Sequence, residues 1–311
     1  MKKALVMGIS GGFGGHVAQA LAERGWSLKA MVRDPAKLPS QFSRVEVVTG
    51  NAASLDDVRA AAQGVDLMVY GINPAAYDWV GKAEPWLDNA AKVAEELALT
   101  LVFPGNVYVF DPADGPDFDE DAPVQPISSK GKMRLAMEQR LKLASQRGAR
   151  VIIIRAGDFI GANAASTWIG QLLKPGKRGY TLNATGPVEL PHTWAFLPDV
   201  AQAVAELAEV KNQLNEYNVF HFKGYQTSFA DLAKTIHNTT GKSVAIKRFP
   251  WWILRLASPI STLFRGLVEM RYLWNRPLNL TDRKLTAVLK KPAPHTPLGE
   301  ALLKSGVITK G

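Results

Sequence analysis

Short apolar runs rich in β-branched residues alternate with amphipathic segments over the first half of the chain. In residues 16–24 and 132–146, apolar side chains recur three and four positions apart, which is helical spacing. Strands that alternate with helices imply right-handed crossovers and a parallel sheet covered on both faces. The runs predicted to be strands lie at residues 3–8, 27–33, 45–50, 65–71, 100–105 and 149–157.

The pattern loosens after about residue 160. Residues 175–194 are rich in Gly, Pro and Thr and predict loops with short strands. A helix at 198–214 and a strand at 216–224 then predict a return to the main sheet. We therefore expect an α/β protein with a Rossmann-type doubly wound parallel sheet and a smaller C-terminal substrate lobe. The expected boundaries are 1–160 plus 196–224 for the nucleotide-binding domain, and 161–195 plus 225–311 for the substrate lobe.

Composition narrows the class of protein. Of 311 residues, 47% are hydrophobic and 21% are charged, which is typical of a folded globular chain. Cysteine is absent, which excludes disulfides, thiolate metal sites and a cysteine nucleophile. No apolar run approaches the roughly 18 residues of a transmembrane helix. Residues 1–10 resemble the start of a signal peptide, but a glycine cluster ends the apolar run, so a cytoplasmic protein is expected.

The net charge of +9 is concentrated in the C-terminal part of the chain. Residues 241–311 hold thirteen Lys and Arg against Glu269, Asp282 and Glu300, whereas residues 1–240 carry a net charge of −1. Such a distribution favours a local patch that faces an anionic ligand or surface. We expect a small-molecule substrate, with an anionic one among the options. Nucleic acid is not expected, because helix-turn-helix and aromatic-platform signatures are missing.

A glycine-rich turn follows the first predicted strand and opens a helix. Gly8, Gly11 and Gly14 form G-x-x-G-x-x-G spacing. In dinucleotide-binding turns, such glycines permit the tight turn, the close approach of pyrophosphate and the packing of helix on strand. The helix N-terminus then offers N–H groups to phosphates. The alternative is a turn without a ligand. The predicted phosphate-binding residues are Gly8, Ser10, Gly11, Gly12, Phe13 and Gly14.

The end of the second strand predicts which cofactor binds. An NAD site places Asp or Glu there, whereas this chain has Arg33, with Lys37 four residues on. Asp34 and Pro35 between them are typical of an N-cap and the first position of a helix. Arg33 and Lys37 could hold a 2′-phosphate, so NADP(H) is the expected cofactor and NAD(H) the alternative. A solvated surface arginine is the other interpretation.

Together these motifs resemble the extended and atypical short-chain dehydrogenase/reductase superfamily, which includes NAD-dependent epimerase/dehydratases and NmrA-like proteins. The similar segments are residues 50–58, 69–79, 119–141, 155–161 and 192–204. In this family, the segments that follow the third, fourth and sixth of the predicted strands run beside the cofactor. The resemblance therefore implies further cofactor contacts from Asn51, Ala52, Gly71, Ile72, Asn73, Pro104, Arg134, Ala156 and Gly157.

Family enzymes carry a Ser or Thr after strand 5 and a Tyr-x-x-x-Lys on the following helix. When these family motifs are aligned with residues 103–110 and 128–139, Asn106 takes the place of the Ser or Thr, Lys130 that of the Tyr and Arg134 that of the Lys. The resemblance therefore implies that all three catalytic residues are substituted. Arg134 can donate to ribose hydroxyls but cannot relay a proton at neutral pH. Lys130 can act as an acid or base only where its surroundings favour the neutral amine. A solvated Lys130 and a structural Asn106 are the alternatives.

Four other side chains could replace the missing tyrosine acid: Tyr77, Tyr108, Asp158 and His192. The expected function is an NADP(H)-dependent oxidoreductase acting on a small molecule whose hydride acceptor needs little acid catalysis, such as a conjugated or quinone-like system. The alternative is a non-catalytic NADP(H)-binding regulator or redox sensor. A sugar-nucleotide epimerase or dehydratase is less favoured, because its proton transfers depend on the tyrosine.

Residues 251–274 mix aromatic, aliphatic and arginine side chains. Three interpretations are open: an amphipathic helix on a membrane surface, a partner-binding helix, or part of the substrate lobe, which is preferred. Pro259 interrupts the stretch and predicts two short packed helices. A homodimer is an option. The histidines lack ligand spacing and the acidic loop at 111–121 lacks the EF-hand order, so no metal site is predicted.

Overall fold

A parallel sheet forms the centre of the computed structural model, which describes residues 2–74, 78–161 and 167–310. Within these residues it has seven strands, and every neighbouring pair is parallel. Chain order reverses between the first and fourth strands, which confirms the predicted Rossmann-type doubly wound topology. The first six strand predictions are correct to within two residues at each end. In spatial order the strands are β3 (Glu46–Thr49), β2 (Ser27–Val32), β1 (Lys3–Met7), β4 (Leu67–Tyr70), β5 (Thr100–Asn106), β7 (Arg150–Ala156) and β12 (Tyr217–His221).

Helices cover both faces of this sheet. Side chains alternate along β1, so that Ala4 and Val6 face one helical layer, whereas Leu5 and Met7 face the other. The first layer contains α1 and α6, and the second contains α2, α3 and α4. The five helices are α1 (Gly12–Glu23), α2 (Leu55–Ala62), α3 (Ala83–Glu96), α4 (Ser129–Ser145) and α6 (Leu197–Glu209).

Smaller sheets extend from the carboxyl end of β7. The first joins β8 (Asp158–Ile160), β11 (His192–Phe196) and β13 (Tyr225–Thr227), and the second joins β9 (Leu173–Gly176), β10 (Gly179–Ala184) and β14 (Ser243–Arg248). The third pairs β6 (Asp117–Phe118) with β15 (Asn279–Leu280), which attaches the C-terminal part to the loop before α4.

The remaining helices belong to the C-terminal part of the fold. Tryptophan rings fill its core, in which Trp274 contacts Trp168 and Trp194. The aromatic stretch forms two short helices and a turn at Met270–Trp274, as Pro259 predicted. Among the described residues, none of the helices has the length and apolar character needed to span a bilayer. The helices are α5 (Trp168–Leu172), α7 (Phe229–Thr240), α8 (Trp251–Ala257), α9 (Thr262–Glu269), α10 (Arg283–Leu289) and α11 (Leu298–Lys304).

Candidate functional site

The glycine turn lies at the edge of the sheet where β1 and β4 diverge. Gly8 has a φ of +86°, and a Cβ there would lie 2.7 Å from the carbonyl of Gly71 at the end of β4. A Cβ on Gly14 would lie 2.3 Å from the Gly8 oxygen. The close contact between the turn, α1 and the end of β4 therefore leaves no space for a side chain at Gly8 or Gly14. No side chain caps the N-terminus of α1, so its first N–H groups are available to an anion.

Other residues of this turn differ in what they expose. Ser10 is exposed, and its Oγ lies 3.5 Å from the carbonyl oxygen of Lys37. The side chain of Phe13 is buried in the core, so this residue can offer a ligand only its backbone. A Cβ on Gly12 would lie 3.0 Å from Leu197, which keeps α6 close to the start of α1.

The cations predicted to select the cofactor lie at the end of β2, beside the glycine turn. Arg33 is exposed and makes no hydrogen bond or ion pair with the described residues. Lys37 is exposed, and its Nζ is 3.5 Å from the carboxylate of Asp34. Asp34 also accepts a hydrogen bond from the Ala36 N–H and caps the short turn that follows β2, as predicted. The guanidinium of Arg33 is therefore available to an anionic ligand.

The residues after β3 and β4 form two further loops at this edge. Asn51 is exposed and forms a local turn, because its Oδ1 accepts from the Ala53 N–H at 3.0 Å. Ala52 is buried, and its carbonyl accepts a hydrogen bond from Asn89. After β4, Ile72 is half-buried and Asn73 is exposed. Of the residues predicted here, Asn51 and Asn73 present polar side chains to solvent.

Arg134 lies at the carboxyl end of β5, where the resemblance places it. Its Nη1 donates to the carbonyl oxygen of Pro104 at 3.3 Å, and its guanidinium stacks over the rings of Trp79 and Phe103, at 4.7 and 5.4 Å from their centroids. Beside it at the end of β4, Tyr70 is fully buried. Burial raises the pKa of the Tyr70 hydroxyl, which the charge of Arg134 offsets only in part. Sequence analysis missed Tyr70 and Trp79.

Asn106 ends β5 with a defined amide orientation. Its Oδ1 accepts from the backbone N–H of Tyr108 at 3.1 Å, so it caps the short helical turn that follows. The amide nitrogen is consequently the end of this half-buried side chain that can donate to a ligand. Asn106 therefore makes a structural hydrogen bond through its oxygen and keeps its N–H₂ group as a donor. Both interpretations of this residue, a structural one and one at the family's catalytic position, are compatible with this geometry. Tyr108 itself is half-buried, whereas Tyr77 lies outside the described residues.

Lys130 is mostly buried and contacts a carboxylate of the C-terminal part. Its Nζ lies 2.6 Å from Oε2 of Glu269, and its backbone N–H donates to Oε1 of the same carboxylate. Only 12% of the Lys130 side chain is exposed, which corrects the solvated alternative. Burial raises the pKa of Glu269, but the hydrogen bonds and charge of Lys130 outweigh it and hold the pKa below its usual range. The turn at Met270–Trp274 thereby closes on the start of α4, where the Oγ of Ser128 lies 3.4 Å from the Tyr272 hydroxyl.

Two of the four candidate acids form a pair. Nε2 of His192 on β11 lies 2.7 Å from Oδ2 of Asp158 on β8, and both side chains are mostly buried. The His192 ring stacks on Trp274, with centroids 3.7 Å apart and planes at 14°. Asp158 follows Gly157, the end of the segment predicted to touch the nicotinamide. A Cβ on Gly157 would lie 2.1 Å from the carbonyl oxygen of Thr193, which brings β11 against this segment.

A buried ion pair fixes α4 to the sheet, and sequence analysis did not predict it. The guanidinium of Arg155 contacts both carboxylate oxygens of Glu138, at 3.2 and 2.5 Å. Nη1 of Arg155 also lies 3.5 Å from Nε2 of His221, which is fully buried. Glu138 lies one helical turn beyond Arg134 on α4. The pair therefore holds the helix in the register that puts Arg134 at the end of β5. Among the described residues, no cluster of side chains could hold a metal ion.

The sheet order, the glycine turn and the position of α4 agree with the predicted resemblance to the extended short-chain dehydrogenase/reductase superfamily, and a match to a family model supports it. Residues 1–261 match the family described as the RmlD substrate binding domain, and the chain belongs to this family. Among curated proteins, y4nL of Sinorhizobium fredii is 26% identical in an alignment of 199 positions, and the match covers 56% of this chain and just over half, 55%, of that protein.

Solved structures share the whole fold at low sequence identity. A candidate epimerase from Burkholderia cenocepacia J2315 has a TM-score of 0.78 and 17% identity, over 98% of this chain and 96% of that one. MoeE5, solved with UDP-glucose and NAD, has a TM-score of 0.75 and 18% identity, over 98% and 97%. WbmH of Bordetella bronchiseptica, solved with NAD⁺, has a TM-score of 0.70 and 17% identity, over 98% and 97%. At these identities the likeness shows the fold.

Proposed function

We propose that this protein is an NADP(H)-dependent oxidoreductase acting on a small molecule. The observation that carries the proposal is the glycine turn at the divergence of β1 and β4, with an uncapped helix N-terminus and an available Arg33 beside it. The contact between Gly8, Gly14 and Gly71 leaves no room for side chains, so a ligand can approach the backbone closely. Structural neighbours solved with NAD support the same cofactor class.

Each cofactor group has a partner in this proposal. The N-terminus of α1 holds the pyrophosphate, and Arg33 with Lys37 holds the 2′-phosphate. Arg134 donates to the nicotinamide ribose, because its guanidinium is fixed by Pro104 and two aromatic rings. When bound, NADPH supplies the hydride. The loop contacts follow the resemblance and come from Asn51, Ala52, Gly71, Ile72, Asn73, Ala156 and Gly157.

We assign the proton to the His192–Asp158 pair. The amide nitrogen of Asn106 would donate a hydrogen bond that orients the substrate oxygen, and His192 would give that oxygen a proton. Asp158 holds the imidazole through its 2.7 Å contact. Glu269 accepts hydrogen bonds from both Nζ and the backbone N–H of Lys130, so we assign Lys130 the role of fixing the C-terminal turn against α4.

The substrate belongs to one of two chemical classes. The first is a carbonyl, enone or quinone-like compound, because the residues that replace the usual tyrosine suit an acceptor that needs modest acid catalysis. The second is a nucleoside-diphosphate sugar, which is favoured by membership of the RmlD substrate binding domain family and by the likeness to MoeE5, solved with UDP-glucose.

Cofactor binding tests the first part of the proposal. Titration should show tighter binding of NADPH than of NADH, and Arg33→Ala should weaken NADPH binding by about tenfold to a hundredfold while leaving NADH unchanged, as expected for one charge-assisted contact. Arg44→Ala is the matched control, because Arg44 is also exposed but precedes β3 at the opposite edge of the sheet. Equal affinities for the two cofactors would contradict the NADP assignment.

Turnover tests the second part. The protein is incubated with NADPH and a panel of aldehydes, ketones, enones, quinones and UDP-sugars while the absorbance of the reduced nicotinamide is followed. His192→Asn should lower kcat by about 10²- to 10⁴-fold with the affinity for NADPH retained. His237→Asn, at an exposed histidine on α7, should match the unaltered protein. Tight NADPH binding without turnover of any acceptor would indicate a cofactor-binding regulator instead.

A further inference from the structure

An exposed apolar surface lies on the segment formed by α8, the following turn and α9, which we name the α8–α9 hairpin (residues 251–269). The exposed fractions of Trp252, Leu256 and Ile260 are 65%, 75% and 91%. They are spaced by four residues, while Trp251 and Leu254 on the other face of α8 are buried. Monomeric soluble proteins rarely expose large apolar side chains in such density. The exposed apolar residues of the hairpin are Trp252, Ile253, Leu256, Ile260 and Leu263.

The exposed charged side chains of this hairpin and of the strand before it are basic. Arg255 and Arg265 are exposed within the hairpin, and Lys247 and Arg248 are exposed on β14 just before it. No acidic residue occurs between positions 232 and 268. The carboxylate that ends the hairpin, Glu269, already accepts from Lys130 and points toward α4. Apolar side chains therefore project from a basic surface that lacks compensating acidic groups of its own.

We infer that the α8–α9 hairpin binds the surface of an anionic phospholipid bilayer. Aromatic and aliphatic side chains bury in the boundary between headgroups and acyl chains, while neighbouring arginines contact lipid phosphates. This inference is independent of the proposed function, because the exposed apolar and basic residues on which it rests lie outside the candidate site. It concerns binding to the surface of a membrane, since no described helix could cross one.

A second copy of the chain fits this surface less well. A twofold dimer through the hairpin would place Arg255 and Arg265 of one copy against the same basic surface of the other. Like charges facing each other across an interface oppose association. An anionic bilayer instead complements both the charge and the apolar side chains. Charge complementarity is thus the observation that selects the partner.

Flotation with vesicles tests the inference. We expect this 311-residue chain to float with vesicles of phosphatidylcholine and about one third phosphatidylglycerol, and to remain in the bottom fraction with vesicles of pure phosphatidylcholine. Binding should weaken with added salt. Leu256→Ser with Ile260→Ser should reduce binding by about tenfold or more, through loss of inserted apolar surface. Arg255→Gln with Arg265→Gln should also reduce it by about tenfold or more, since each basic residue near an anionic surface contributes about fivefold.

Matched controls separate insertion from loss of the fold. Ile127→Ser with Leu143→Ser removes two exposed apolar side chains outside the hairpin, and this variant should bind as the unaltered protein does. Brominated lipid should quench the tryptophan fluorescence of the unaltered protein, and this quenching should be smaller in Trp252→Phe, which lacks the exposed tryptophan of the hairpin. The inference is overturned if the unaltered protein does not bind anionic vesicles or if the hairpin variants bind as well as the controls. It is also overturned if the hairpin variants abolish a dimer that forms without lipid.

Discussion

His221 is expected to make the folded protein sensitive to acid. Its side chain is fully buried at the end of β12, and its Nε2 must be an acceptor, because the neighbouring Arg155 guanidinium has only donors. Burial, and then the charge of Arg155, lowers the pKa of His221 to about 3. Protonation would place a second cation beside Arg155, in the network that holds α4 through Glu138.

The size of the stability loss follows from the difference between the pKa of His221 in the folded and the unfolded protein. A histidine in the unfolded chain titrates near pH 6.5. Between about pH 6.5 and pH 3, His221 is therefore protonated in the unfolded chain but stays unprotonated in the folded protein. The free energy of unfolding therefore falls as the pH falls through this window, by about 1.4 kcal/mol for each pH unit. At about pH 4.5 the loss is about 3 kcal/mol, against a typical total of about 5–15 kcal/mol.

Urea unfolding at about pH 7.5 and about pH 4.5 measures this loss. The unaltered protein is compared with His221→Gln, which cannot gain a proton, and with His237→Gln at an exposed histidine. Each protein is compared with itself at the two pH values, so a lower stability of His221→Gln at neutral pH does not affect the result. We expect the unaltered protein and His237→Gln to lose about 3 kcal/mol more than His221→Gln.

Carboxylates with lowered pKa values also lose stability in acid, but their contribution is common to all three proteins and cancels. Glu46 and Glu209 are examples, since hydrogen bonds from lysines lower the pKa of both. Equal losses for all three proteins, to within about 0.5 kcal/mol, would refute the assignment of acid sensitivity to His221.

Three further predictions concern the site and its supports. Gly14→Ala should abolish NADPH binding in titration or lower the unfolding free energy by at least about 2 kcal/mol, because its Cβ would lie 2.3 Å from a backbone oxygen; unchanged values would contradict this packing. A double-mutant cycle of Lys130→Ala and Glu269→Ala should give a coupling of about 0.5–3 kcal/mol in urea unfolding, and additivity would contradict the contact. Asp199→Ala should cost about 1–3 kcal/mol in thermal unfolding, since it leaves the half-buried N–H and hydroxyl of Thr296 unpaired; Asp282→Ala is the control.

The amino-acid sequence by itself determined the central sheet and the glycine turn. Apolar periodicity is a local property, because each strand and helix repeats its own pattern, so alternation in the first half was enough to predict the doubly wound topology. Gly8, Gly11 and Gly14 are informative for the same reason, since they sit within one strand–turn–helix unit. Asp34 as the cap of the turn after β2 and the break at Pro259 are also local signals, and both are confirmed.

The tertiary structure decided which polar groups meet. Lys130 pairs with Glu269, 139 positions away, and His192 with Asp158, 34 positions away, because the C-terminal part returns over the carboxyl ends of the strands. Periodicity carries no information on such a return path, so the sequence could foresee neither the partner of Lys130 nor the contact between His192 and Asp158. Contacts between distant segments depend on how the packed elements meet in space, and that is set by the whole fold.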